Sequence, residues 1–282
     1  MVSKTRSDAL VDADWVLKHS SDASIRLIEV DEDTAAYEVA HIPGAIKWHW
    51  RDDLRDPLRR DFVDAEGLQK LLARSGVNDG TTVILYGGNN NWFAAYAYWY
   101  LKYRGFDNVK LLDGGRKKWE REGLPMTTDA MEVKPAGRKP ALKGARAELR
   151  AFRDDILYGQ RDRSSVLIDV RSPEEFRGEL LAPPHLPQEQ AQVPGHVPGA
   201  QNVPWSKAAE EDGTFKSPEA LRELYGAAGA TPEKAIIAYC RIGERSSHTW
   251  FVLHELLGYA DVRNYDGSWT EYGSMVGVPV ER

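Results

Sequence analysis

The sequence predicts an α/β fold: two tandem domains, each a central parallel sheet flanked by helices. Three observations predict it. Short apolar runs alternate with helical patterns, the alternation occurs twice, and a segment rich in Pro, Gly and Lys separates the two copies. Leu27-Ile28-Glu29-Val30 resembles Leu167-Ile168-Asp169-Val170, and His41-Ile42-Pro43-Gly44-Ala45 resembles His196-Val197-Pro198-Gly199-Ala200. Val83–Tyr86 matches Ile236–Tyr239, and Asp113-Gly114 matches Asp266-Gly267, both at an offset of 153 residues. A period that long is a domain duplication, not a solenoid. The expected boundaries are 1–126 for the first domain, 127–145 for the linker and 146–282 for the second domain.

In the first half, Leu27–Val30 and Val83–Tyr86 read as strands, and Trp92–Tyr103 as a late helix. That helix is apolar and aromatic nearly all round, which predicts burial. In the second half, Val166–Val170 reads as a buried strand. Ser172-Pro173-Glu174-Glu175 then opens a helix, with Ser172 as N-cap, Pro173 in the first turn and Glu175 completing a capping box. Pro218–Ala228 predicts a helix with Leu221 and Leu224 on one face. Ala235–Tyr239 predicts a second buried strand, Ser246–Leu257 a helix stopped by Gly258, and Val262–Tyr265 a short strand.

Composition excludes several function classes. A net charge of -6 over 282 residues does not suit bulk nucleic-acid binding. No run reaches transmembrane length, and the first residues show no apolar leader, so neither nucleic acid nor membrane is an expected partner and a cytoplasmic location is expected. The single cysteine, Cys240, excludes an intramolecular disulfide and multi-cysteine zinc sites. No cofactor or metal is expected, and the oligomeric state is not legible.

That cysteine stands between a predicted strand and a predicted helix, where ligands bind in parallel α/β sheets. Arg241–Ser246 is expected to form the turn. Its amides, the helix N-terminus, Arg241 and Arg245 would then surround the sulfur with positive charge, with Glu244 turned outward. Thiolate is the reactive form of cysteine, and such a field would favour it beside an anionic substrate. Arg171 ends the first strand of its half and is expected at the same sheet edge. The first half serves as an internal control. Cys240 aligns with Gly87, Arg245 with Trp92 and Arg171 with Asp31. The thiol and both aligned cations are absent there, so the second half is expected to be catalytic and the first inactive.

HIPGA and LLDGGRKKW in the first half, and DVRSPEEF, HVPGA, CRIGER and YDGSW in the second, together resemble the rhodanese family over nearly the whole chain. The resemblance is to the two-domain thiosulfate sulfurtransferases, and within them to the actinobacterial type with a CRIGERS loop. It implies two tandem rhodanese-like domains and a thiosulfate:cyanide sulfurtransferase. Cys240 would take sulfur from thiosulfate, carry it as a persulfide and pass it to a thiophilic acceptor, cyanide or a thiol. Arg171, Arg241, Ile242, Gly243, Glu244, Arg245 and Ser246 would bind the donor. Some animal members carry lysine two residues after the catalytic cysteine, where this chain has Ile242, so the cationic role falls to Arg245.

Alternatives within the same fold are a 3-mercaptopyruvate sulfurtransferase, whose loop is typically less basic, and a persulfide-carrying relay or regulatory module. A cysteine phosphatase needs C-x5-R, whereas Cys240 and Arg245 are spaced C-x4-R. Structural roles are expected for His41 and His196 at the repeated turn, for His248 at the core edge, and for Asp169 and Trp205. Leu180–Pro194 is an insertion relative to the first half and is expected to cover the Cys240 cleft.

Overall fold

The computed structural model describes residues 9–31, 33–162, 165–182 and 190–282. Contacts divide the chain into two compact units. Among the described residues, one contains 147–208 and 216–282; the other contains 9–146 together with 209–215. Short segment 209–215 thus groups with the first half, which no repeat or composition shift in the sequence indicates.

Each unit is built on a five-stranded sheet. In the first, β1 (Leu10–Val11), β2 (Ile25–Asp31), β3 (Ile46–His49), β4 (Thr82–Tyr86) and β5 (Val109–Leu112) lie in the order β1-β5-β4-β2-β3. In the second, β6 (Arg150–Ala151), β7 (Ser165–Asp169), β8 (Gln201–Asn202), β9 (Ala235–Tyr239) and β10 (Val262–Tyr265) repeat that order as β6-β10-β9-β7-β8. All pairings are parallel. Ile236, Ile237, Ala238 and Tyr239 of β9 are all fully buried, as a strand covered on both faces requires. Asp169 of β7 and Tyr265 of β10 both pair with Tyr239, so three strands end level and their following residues share one sheet edge.

The predicted helix start at Ser172 is present with both capping-box bonds. The Glu175 amide donates to Ser172 Oγ (3.2 Å), and the Ser172 amide donates to Glu175 Oε2 (3.1 Å). Ser217 caps Pro218–Gly226, with Leu221 and Tyr225 buried and Leu224 only partly so. The helix expected over Ser246–Leu257 begins earlier, at Glu244, because Gly243 at φ +95 closes the turn before it. It runs as α-helix to Trp250 and then widens to a π-helix over Phe251–Leu256. Trp250, Phe251, Val252 and Leu253 are fully buried, so packing on all sides defines this element.

The repeated His-x-Pro-Gly-Ala turn is anchored the same way twice. Tyr86 Oη accepts from the Ile42 amide (3.2 Å), and Tyr239 Oη accepts from the Val197 amide (3.1 Å). His41 stacks on Tyr37 and reaches its carbonyl (2.9 Å), while His196 stacks on Phe176 and reaches its carbonyl (2.8 Å). Both histidines are therefore turn braces, as the repeat implies. Trp205 is buried and meets His248 edge-on. Among the described residues no helix is long and apolar enough to cross a membrane.

The long helix of the first half, Gly88–Tyr103, is regular only from Trp92. Asn89, Asn90 and Asn91 all have left-handed backbones, at φ 44, 56 and 62. Asparagine tolerates this region better than most residues. Asn91 is fully buried and adds two bonds: its Oδ1 accepts from the Gly87 amide (3.0 Å) and its Nδ2 donates to the Leu112 carbonyl (2.7 Å). Asn91→Ala leaves both backbone groups unpaired in a buried site, which costs about 1–3 kcal/mol each. The expected outcome is a lower urea midpoint of the first-half unfolding transition, read by aromatic fluorescence. An unchanged midpoint would mean that the asparagine turn is not a stabilising element.

Candidate active site

Cys240 follows β9 directly, and its backbone is held by the start of the helix after β10, Ser268–Tyr272. The Cys240 amide donates to Ser268 Oγ (3.1 Å), and that hydroxyl donates to the Tyr265 carbonyl (2.6 Å). The Trp269 amide donates to the Cys240 carbonyl (3.1 Å) and the Thr270 amide to the Arg241 carbonyl (3.0 Å). Ser268 reaches this position with φ +54, a strained conformation for a residue with a side chain. The turn is shorter than expected and closes at Gly243, where an added Cβ would lie 2.6 Å from Asp266 Cα. Only glycine combines that approach with a positive φ. Fully buried Asn264 donates to the Gly243 carbonyl (3.0 Å) and to Ser247 Oγ (2.9 Å). On the preceding peptide, the Gly243 amide points at Cys240 Sγ, 3.1 Å away. Ser246 Oγ lies 3.6 Å from Sγ while donating to Asn264 Oδ1 (2.6 Å).

The sulfur and its surroundings are buried. Cys240 is 0% exposed, Arg241 2%, Glu244 1% and Arg245 4%. Ile242 is buried at the turn's apex. Two expectations are corrected here. Glu244 does not point outward. The early helix start sets it at the inner end of the turn, with Oε2 3.6 Å from Cys240 Sγ and Oε1 3.7 Å from Arg241 Nη2. Nor do the arginines surround the sulfur with uncompensated charge. Arg245 makes a two-pronged pair with Glu175 (2.7 and 2.9 Å), and Arg171 does the same with Asp169 (2.6 Å at the closest) while donating to the Gly195 carbonyl (2.7 Å). Each cation thus has a buried carboxylate beside it, as desolvation of a charge demands.

Burial works to raise the Glu175 carboxyl, but the hydrogen bonds and charge of Arg245, with the charge of Arg171, outweigh it and hold the group below its ordinary value. Burial likewise opposes the charge on Arg245 and Arg171, and the facing carboxylates more than offset it, holding both guanidinium groups above their ordinary value.

The first half shows the same turn with other occupants. Gly87 stands at the cysteine position, and its carbonyl accepts from the Arg116 amide (3.1 Å) just as Cys240 accepts from Trp269. The Gly88 amide donates to Asp31 Oδ2 (2.7 Å). Buried Glu29 is paired by Arg116, which also donates to the Ala40 carbonyl (2.8 Å). Arg171 makes the equivalent bonds to Asp169 and Gly195 from a different chain position, and the residue aligned with Arg116 is Trp269, over whose ring Arg171 lies at 4.9 Å. Arg171 therefore braces the fold at the sheet edge, and Asp169 is its partner.

Three participants were not assigned to the site from sequence, and a fourth was placed there with the wrong orientation. Glu175 was recognised only as a capping residue, Ser268 and Asn264 were not singled out, and the orientation of Glu244 was misjudged. The pairing of LLDGG with YDGSW carried a usable signal for Ser268, because a serine there replaces Gly115. Of the expected cover, residues 183–189 lie outside the described residues. Ala191 joins the core, Val193 pairs with Gly273, and the Val193 carbonyl accepts from Trp269 Nε1 (3.0 Å).

A family model described as the rhodanese-like domain matches residues 12–122 and 154–275. A Mycobacterium leprae protein named "Putative thiosulfate sulfurtransferase" is 60% identical over 280 residues, covering 98% of each chain. A protein of Thermus thermophilus named "Sulfur carrier protein TtuD" is 50% identical over 278 residues, covering 98% of this chain and 97% of its own. The solved structure of an anaerobic ergothioneine biosynthesis enzyme from Chlorobium limicola superposes with a TM-score of 0.84 at 24% identity, covering 97% of this chain and 70% of that one, which speaks for the fold alone.

Breaking the Glu175–Arg245 pair leaves a charge buried without its partner. Glu175→Gln is expected to lower the unfolding free energy of the second half by about 3–5 kcal/mol at neutral pH. The folded carboxyl titrates below its unfolded value. Its contribution is therefore complete above the ordinary carboxylate range and is lost as pH falls through the folded value. Chemical denaturation at neutral and acid pH measures both effects. The difference between wild type and variant should shrink at acid pH; a difference independent of pH would assign the loss to packing.

Proposed function

The chain belongs to the rhodanese family, and from that premise we propose that it is a thiosulfate sulfurtransferase whose Cys240 carries the transferred sulfur. The second half, 146–282, is the catalytic domain in this reading. The first, 1–126, is its inactive duplicate, and 127–145 is the linker. The observation that carries the reading is the Gly243 amide aimed at Cys240 Sγ from a turn whose backbone is fixed at both ends, where the first half has glycine. Relatives 58–60% identical over nearly the whole chain bear the thiosulfate sulfurtransferase name, which supports thiosulfate as donor.

The chemistry divides into two displacements. Cys240 Sγ attacks the outer sulfur of thiosulfate, the sulfur–sulfur bond of the donor breaks, and sulfite departs with the electron pair. A thiophilic acceptor, cyanide or a thiol, then attacks the outer sulfur of the persulfide and regenerates Cys240. The Gly243 amide is already oriented toward Sγ, so it stabilises negative charge on sulfur without reorganisation. Arg241, Ile242, Gly243, Glu244, Arg245 and Ser246 form the wall of the donor site. Because Arg245 is balanced by Glu175 and Arg241 faces Glu244, the donor's charge is met by amide dipoles and polarised pairs. 3-Mercaptopyruvate is the alternative donor. A reaction resting on one free thiol suits the reducing cytoplasm.

A second reading, a sulfur carrier that hands its persulfide to a protein, is favoured by the identity to the Thermus protein of that name. The two differ in turnover. Steady thiocyanate production from thiosulfate and cyanide supports the enzyme; a single loading followed by slow discharge supports the carrier.

Intact-mass measurement after incubation with thiosulfate tests the common premise. The expected result is a gain of one sulfur atom at Cys240, reversed by cyanide and absent in Cys240→Ser. Loading that persists in Cys240→Ser, or none in wild type with thiosulfate or 3-mercaptopyruvate, would overturn it.

A further inference from the structure

Membership of the donor-site wall does not explain why Glu244 turns its carboxylate toward the sulfur. Its carboxylate reaches both the thiol and a guanidinium: Oε2 lies 3.6 Å from Cys240 Sγ with the thiol as donor, and Oε1 lies 3.7 Å from Arg241 Nη2. At 1% exposure it has been taken out of water to reach them. A buried carboxylate beside a sulfur that must become anionic opposes that charge. It therefore has to be accounted for by something other than anion stabilisation.

The internal duplicate shows what this position does when no thiol is present. The aligned residue is Asn91, and its side chain folds back to accept the amide of Gly87, the residue in the cysteine position. In the second half that duty has moved. The Cys240 amide is accepted by Ser268 Oγ, and Ser268 stands where the first half has Gly115. Both residues keep the same left-handed backbone, φ 53 at Gly115 and φ 54 at Ser268. A strained serine caps the turn, and the side chain at 244 is released from capping and turned onto the sulfur.

We propose that Glu244 is the catalytic proton acceptor and donor for Cys240, resting on the sulfurtransferase reading for the reaction it serves. In loading, the thiol proton passes to Glu244 as Sγ forms a bond to the outer sulfur of thiosulfate. The products are the anionic persulfide, the Glu244 carboxylic acid and sulfite, and the total charge is unchanged. Neutralising Glu244 at that moment removes the repulsion between its carboxylate and the new persulfide. In discharge, the acceptor anion attacks the outer sulfur, the persulfide bond breaks with its electron pair on Sγ, and Glu244 returns its proton there. The charged groups facing this exchange are Arg241 on the turn and Arg245 on the helix, the latter backed by Glu175 from Pro173–Phe176. Asp266, which closes on Gly243, is paired with Arg150 (2.8 Å). Arg241 beside the carboxylate favours its return to the ionised form after each cycle.

The test is Glu244→Gln, which keeps size and the contact to Arg241 but cannot accept the proton. Thermal unfolding checks that the variant folds. Stopped-flow loading from thiosulfate is then followed across pH 6 to 10, together with alkylation of Cys240 by iodoacetamide, which needs the same proton to leave but no sulfur donor. A positioned proton acceptor contributes about a hundredfold or more. The expected result is loading and alkylation slower by about that factor at pH 7, recovering as pH rises and solvent base takes over. Rates equal to or faster than wild type would show that Glu244 is only a neighbouring negative charge. A fall of equal size at every pH would show that it only holds Arg241. Either overturns the proposal. If wild type fails to load from thiosulfate, the sulfurtransferase reading fails, and the alkylation profile alone still decides the role of Glu244.

Discussion

Everything around the thiol depends on the grip that the start of the helix after β10, Ser268–Tyr272, keeps on Cys240. Ser268 takes its amide and Trp269 supplies the donor to its carbonyl, so the residue is fixed on both sides. That leaves only the side chain free to approach a substrate. The Gly243 amide can then be aimed at Sγ, because the turn between them has no slack. Asn264, on β10 itself, sets the far side of the turn through the Gly243 carbonyl. Strands β9 and β10 thus act as one support, and their level carboxyl ends bring it about.

The fold was legible because its signals are local and repeated. Four-residue apolar runs, a capping box and two copies of the His-x-Pro-Gly-Ala turn each specify short-range structure, and duplication confirms each by a second instance. Helix boundaries were less legible where tertiary packing sets them. The helix after Cys240 starts early because Gly243 adopts a positive φ against Asp266, and it continues as a π-helix over Phe251–Leu256, most of which is buried. Neither cause is a local propensity. Cys240 and the turn around it were found from their place between strand and helix.

The electrostatics were read less well, for a physical reason. Counting charges along a loop assumes that the loop supplies the field. Here Arg245 answers to Glu175, 70 residues earlier, and Arg171 to Asp169 on the strand below. A buried guanidinium must have a counter-charge, but the sequence does not say which carboxylate folds against it. The result is a set of paired charges around a buried sulfur, in place of a cationic pocket. Such pairs hold oriented dipoles in fixed positions, whereas an uncompensated arginine cluster would be costly to bury.

Gly87 has a consequence for how this chain can change. A Cβ built there would lie 2.5 Å from the Val30 carbonyl oxygen and 3.7 Å from an Asp31 carboxylate oxygen. The backbone of β2 occupies the space that a side chain at position 87 would need, so a cysteine placed there would have to displace the strand end. Accommodating it would require the strand end, the asparagine turn and Asp31 to move together. At this position the first half uses for backbone packing the volume that the second half gives to a side chain.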